Sequence, residues 1–198
     1  MKWYWLLVYL LRSRGKALVL SESELPLKCT VRWNVRIEPD VIIEPGTSFG
    51  NNVLVRHHAV LGYNCSIGSF TEVGHHVKIG RGVRVHSHCF ISEFTKILDG
   101  AWLGPGVRIL NTPHPLCPDA KACLEEDSYC RIGERAIIGA AVTLMPSVNI
   151  GAGAVIGAGA LVLEDVPPDE VWAGCPARFI KHREDLRCKF GRREKPYG

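Results

Sequence analysis

Between Val31 and Ile109 every sixth residue of the chain is aliphatic or phenylalanine. The fourteen successive hits, Val31, Ile37, Ile43, Phe49, Val55 and onward to Leu103 and Ile109, include no polar side chain. Four positions after each hit the residue is again small or β-branched, as at Val35, Thr47, Ala59, Cys65 and Val83. A second run holds the same step from Ile132 through Ile138, Leu144, Ile150 and Ile156 to Val162, with Ala136, Val142 and Ala154 among its companions. The two runs are out of phase, because 132 − 109 = 23 is not a multiple of six. The chain therefore leaves its repeat once and re-enters it.

A period of six matches neither the 3.6 of a helix nor the simple alternation of a hairpin strand. It suits a solenoid in which each hexad is one short strand ending in a corner, three hexads closing a triangular coil of eighteen residues. The first residue of each hexad points inward, and the small companion packs beside a corner. Glycine recurs at the second place (Gly50, Gly62, Gly68, Gly74, Gly80, Gly104, Gly133), which suits corners that need close approach or positive φ. The expected fold is an all-β solenoid, a left-handed parallel β-helix of hexapeptide repeats with between six and seven coils.

The chain has 198 residues, 46% of them hydrophobic, and reads as one domain. Residues 1–30 form a lead-in, 31–167 the β-helix with an extruded loop at 111–131, and 168–198 a basic tail. Net charge is +4, and Lys181 to Lys195 hold seven Lys/Arg against three Asp/Glu, so the remainder is neutral. No extended basic face of the kind nucleic acid requires is implied. Trp3 to Leu11 are nine apolar residues, too few to span a bilayer. They suit a short N-terminal helix covering the open end of the solenoid, or a weak membrane-surface contact through Trp3, Tyr4 and Trp5. The eight cysteines are scattered and follow no secretory signal, which implies a cytoplasmic protein.

The interruption holds the candidate chemistry. Extruding a segment costs ordering entropy and leaves strands unpaired, so a long loop in a compact domain is usually functional. His114 lies at its root between Pro113 and Pro115, which restrict the backbone around the imidazole. Stepping back from Asn111 by eighteen gives Glu93, His75 and His57, one hexad place on successive coils about 4.8 Å apart. A carboxylate one rung below an amide, next to a histidine, suits the orientation of a general base or of an acceptor. The bland alternative is that Glu93, His75 and His57 are exposed corner residues. The loop also carries Cys117, Cys123 and Cys130, which with His114 would make four zinc ligands, but at spacings of no short-knuckle pattern, so no metal is assigned.

The stretches NTPHP, WLGPGVRILN and IIGAAVTLMPSVNIGAGAVIGAGALVLEDVPPDEVWAGCPARFI resemble the hexapeptide-repeat acyltransferases. The first is similar to the place where galactoside and maltose O-acetyltransferases carry a catalytic histidine, matching His114. The second is similar to nucleotide-sugar N-acetyltransferases, matching Asn111. The resemblance implies acetyl transfer from acetyl-CoA to a hydroxyl or amine of a sugar or nucleotide-sugar by a homotrimer. Each active site would then lie between two β-helices, with His114 as base in a ternary complex assisted by Asn111 and Glu93. The matching cofactor positions are Gly139, Ala140, Ala158 and Arg178, Arg178 toward the nucleotide end. Leu163 stands where that pattern often has threonine. Two rival readings are a metal-dependent enzyme resembling γ-class carbonic anhydrases, using histidines among His57, His58, His75, His76, His86 and His88, and a non-catalytic β-helix scaffold.

Overall fold

The computed structural model describes residues 28–114, 116–118, 129–192 and 194–196. The expected N-terminal helix and its membrane contact lie outside them, as do Pro115 and Cys123. No helix among the described residues is long and apolar enough to cross a membrane.

Each hexad is a two-residue strand ending on the apolar hit, from β1 (Thr30–Val31), β2 (Arg36–Ile37) and β3 (Ile42–Ile43) to β14 (Arg108–Ile109). The pattern resumes at β15 (Arg131–Ile132) and runs to β20 (Leu161–Val162). From β1 to β17 each strand pairs in parallel with the third strand on, which gives three sheets, here called faces A (β1, β4 and onward), B (β2, β5 and onward) and C (β3, β6 and onward). The register is the coil length: Glu72 lies opposite Phe90, and Phe90 opposite Arg108. This is the left-handed β-helix of about seven turns that the hexad step requires.

Both apolar columns turn inward. Ile37, Val55, Leu61, Ile91, Leu103, Ile109 and Ile138 are fully buried, and so are the companions Val35, Ala59, Val83, Ala101 and Ala136. Polar companions satisfy themselves on the next coil. Thr71 Oγ1 donates to the carbonyl of His86 at 3.0 Å, and the Cys65 and Cys89 thiols take the same role toward Gly80 at 3.0 Å and Gly104 at 3.2 Å.

The corners divide the work differently from the sequence expectation. The second-place glycines have ordinary φ; they are demanded by close approach alone. A Cβ on Gly68 would stand 2.4 Å from the carbonyl carbon of His86. Positive φ falls two places later, on Asn34, Asp40, Asn52 and His58, and on Phe70 (58°) and Phe94 (59°).

The excursion is shorter than 111–131. Lys96 pairs with Arg131 across it, an offset of 131 − 96 = 35, which is one coil of eighteen plus seventeen inserted residues. Cys130 is already in the core and Tyr129 packs on Phe94, so the insertion corresponds to 112–128. The coil resumes at a companion position, Cys130, one residue before its first strand. The segment from 168 onward, expected as a tail, also contributes structure. β21 (Glu170–Gly174) extends face A in parallel, and β22 (Ala177–His182) folds back on it antiparallel. A single 3-10 turn follows at Arg183–Asp185.

Candidate active site

The corner between faces B and C carries the column reached by stepping eighteen residues back from Asn111. Asn111 Nδ2 donates to Glu93 Oε2 at 2.5 Å, and Glu93 Oε1 lies 3.9 Å from His75 Nε2. His75 stacks on His57, ring centroids 5.1 Å apart and planes within 13°. His57 in turn places Nδ1 3.2 Å from Glu38 Oε2. Burial opposes the Glu38 charge, but the side-chain and backbone hydrogen bonds from His57, with Arg56 and Arg36 beside it, hold its carboxyl below the ordinary value.

One hexad place on, a second column runs through His58, His76 and Phe94 to Tyr129, with centroids 4.8, 4.9 and 4.5 Å apart. The sequence reading missed it, although the same step back from Phe94 gives His76, His58 and Asp40. The stack covers a backbone in the left-handed region at Phe94, a conformation costing a bulky residue about 1–2 kcal/mol. Burial pushes both imidazoles below their ordinary value: at His75 Glu93 partly offsets it, while at His76 neighbouring His58 and His75 add to it.

His114 lies beyond the top of the first column and is exposed. Its carbonyl accepts from the Cys117 N–H at 3.0 Å, which closes a turn at the loop root. Among the described residues its imidazole has no hydrogen-bond partner. Asn111 and Glu93 are bonded to each other rather than to His114.

Three of the four expected cofactor residues, Gly139, Ala140 and Ala158, occupy the corner between faces A and B, and Arg178 lies on β22 of face A. Ala140 and Ala158 share one hexad place eighteen residues apart, and a Cβ on Gly139 would stand 2.5 Å from the Ala158 nitrogen. Packing of successive coils therefore accounts for Gly139 without any ligand. The N–H groups on either side of Ala140 are used, Gly139 toward Ile156 and Ala141 toward Pro105, both at 2.8 Å. The N–H of Ala140 has no partner among the described residues, and neither has that of Ala158. Arg178, on β22, donates to Glu164 Oε1 at 3.0 Å and to the Ala177 carbonyl at 2.8 Å.

Within one chain these two groups do not meet. Face B lies between them, six residues or about 20 Å across at roughly 3.3 Å per residue. The third corner, between C and A, carries a groove lined by Arg131, Gly133, Asn149, Ala152 and Pro168 and holds neither group.

Cys130 does not join a loop metal site. It is buried, its thiol donates to the Met145 carbonyl at 3.2 Å, and burial pushes that thiol up to about 11. The set of Cys117, Cys123, Cys130 and His114 is thereby broken at Cys130.

The family profile described as bacterial transferase hexapeptide (six repeats) matches residues 58–93 and 129–164, the two sides of the loop. The galactoside O-acetyltransferase of Escherichia coli is 33% identical over 158 residues, covering 79% of this chain and 64% of that protein. Serine acetyltransferase 2 of Arabidopsis thaliana is 37% identical over 106 residues, 54% of this chain and 28% of that protein. A 2,3,4,5-tetrahydropyridine-2,6-dicarboxylate N-acetyltransferase of Brevibacillus brevis is 33% identical over 163 residues, 82% of this chain and 60% of that protein. The chain spans between about a quarter and just under two thirds of the length of these curated relatives. Among solved structures, a hexapeptide-repeat acetyltransferase of Vibrio cholerae superposes with a TM-score of 0.52 at 22% identity, covering 62% of this chain and 72% of its own. The chain thus carries the hexapeptide repeat of the bacterial transferases on their fold, and it is homologous to galactoside O-acetyltransferases.

Proposed function

We propose that this protein transfers the acetyl group of acetyl-CoA to a hydroxyl or amine of a sugar or nucleotide-sugar, at a site shared between two copies of a homotrimer. The observation that carries the reading is the hydrogen-bonded Asn111–Glu93 pair at the root of the loop that leaves the repeat, three residues before His114. The relatives' names support the donor half of the reaction: they have acetyl transfer in common and differ in acceptor. The galactoside enzyme supports a sugar as acceptor. Use of acetyl-CoA would place the protein in the cytoplasm.

His114 takes the proton from the acceptor as its oxygen or nitrogen attacks the thioester carbonyl. Neutral imidazole is suited to this at physiological pH, and such a base contributes about 10²–10⁴-fold. The tetrahedral oxyanion is met by a backbone donor, for which the N–H of Ala140 on the facing copy is available. Collapse of the intermediate breaks the C–S bond, and the proton held on His114 passes to the departing CoA thiolate. Asn111 and Glu93, fixed by their mutual hydrogen bond, position the acceptor group. The pantetheine arm passes over Gly139, Ala140 and Ala158, and Arg178 exchanges Glu164 for a cofactor phosphate.

The test is consumption of acetyl-CoA across a panel of amino-sugars, nucleotide-sugars and plain glycosides, with serine included. Turnover with at least one sugar-based acceptor is expected. Turnover with serine alone would remove the acceptor class, and no consumption together with no acetyl-CoA binding would leave a scaffold.

A further inference from the structure

We infer that His57, His75 and His76 form a binding site for a first-row divalent transition-metal ion such as zinc, cobalt or nickel. One ring nitrogen of each lies within 4.8 Å of those of the other two. His75 Nδ1 and His76 Nδ1 are already 3.0 Å apart. In a tetrahedral site with metal–nitrogen bonds of about 2.0–2.1 Å, ligand nitrogens lie about 3.4 Å apart. The His75–His76 pair is therefore about 0.4 Å inside ligand spacing and must open slightly, and the widest pair must close by at most about 1.4 Å, both within reach of a ring rotation at an open corner.

The carboxylates around the cluster carry the inference further. Metal-bound histidines characteristically give their second ring nitrogen to a carboxylate, which fixes ring and tautomer. His57 has such a partner within hydrogen-bond distance, and His75 has a carboxylate at ion-pair distance. His57 places Nδ1 3.2 Å from Glu38 Oε2, and His75 places Nε2 3.9 Å from Glu93 Oε1 while its Nδ1 faces His76. Each of those rings retains its other nitrogen for an ion. With neutral imidazoles the Nδ1–Nδ1 approach uses one proton between two acceptors; an ion there would use both lone pairs. Imidazole sets of this kind suit zinc, nickel and copper rather than calcium or magnesium, which require oxygen. The fourth position is left to water.

The site spans two successive coils and touches the candidate active site through Glu93. Acetyl transfer as proposed above does not use the ion, so the site stands or falls independently of that function.

The test uses the full chain, stripped with a chelator and titrated with cobalt(II) and zinc(II) at pH 7.5. One ion per chain is expected, with a dissociation constant of about 10 µM or tighter, and for cobalt the intense visible d–d bands of a tetrahedral ion without a thiolate charge-transfer band. H75A should lower affinity at least ten-fold, with H57Q as a second variant should H75A fold poorly. H88A, at another corner, should leave affinity unchanged. A thiolate band would move the ion to a cysteine and overturn the assignment. So would affinity unaltered in both H75A and H57Q, or no binding by a protein that still turns over acetyl-CoA.

Discussion

His114 stands free of the Asn111–Glu93 pair, and the separation predicts unequal costs. We expect H114A to lower kcat by about 10²-fold or more with little change in acetyl-CoA affinity, since it removes a group acting only in the transition state. N111A should cost less, because it removes a positioning group and leaves the base. Steady-state kinetics with a working acceptor checks both, and near-normal turnover in H114A would make the loop an acceptor lid and Glu93 the next candidate. A second expectation concerns thiols. Cys65, Cys89 and Cys130 are buried and all three are raised by burial, whereas Cys175 is exposed. Reactivity follows the thiolate, so a thiol reagent at pH 8 should label Cys175 in the native protein and the three core thiols only after unfolding. Rapid native labelling of Cys130 would show that the coil does not resume where the structure places it.

The strands were legible because one rule is repeated twenty times: a first-place side chain has nowhere to point but inward. The fine structure of the corners was not. Second-place glycine invites both a positive-φ reading and a close-approach reading, and only coordinates separate them. Gly68, at the second place, has ordinary φ and would meet backbone at 2.4 Å, while Gly82, two places after the second-place Gly80, has φ of 65° and open space around a Cβ. G68A should therefore cost about 2–3 kcal/mol through forced backbone shifts, and G82A only about 1 kcal/mol through conformation. Urea unfolding of the two variants checks the order; equal losses would mean that the coils separate easily at Gly68. The aromatic column through His76, Phe94 and Tyr129 was also hidden, because its last step crosses the inserted seventeen residues and arrives at 35 rather than eighteen. Likewise β21 and β22 follow another rule: an antiparallel hairpin has no hexad period, so it read as tail. The Asn111–Glu93 pairing, by contrast, could be reached by counting, since both lie in one coil register below the loop.

At the scale of the whole molecule the decisive fact is that the His114 corner and the Ala140–Ala158 corner are separated by face B. If His114 is the base and the Ala140–Ala158 corner holds the thioester, as proposed, a chain acting alone cannot bring the two together. We expect a cyclic trimer in which each prism presents its B–C corner to the A–B corner of its neighbour, a heterologous interface that closes on itself. The expected mass is three times 21.9 kDa, or 65.7 kDa, by sedimentation. A sharper test mixes two defective chains. H114A retains the cofactor corner but has no base. A158W, at an exposed corner position outside the core, blocks the groove and retains the base. Each variant trimer should be inactive by itself. In trimers reassembled from an equal mixture, a site is whole when an A158W chain supplies the base to an H114A neighbour, which random cyclic assembly provides at about a quarter of the sites. Recovery of about a quarter of wild-type activity is therefore expected, with mixed composition verified by native mass spectrometry. Mixed trimers without activity would mean that base and groove must come from one chain, and activity in A158W alone would mean that the cofactor does not pass that corner.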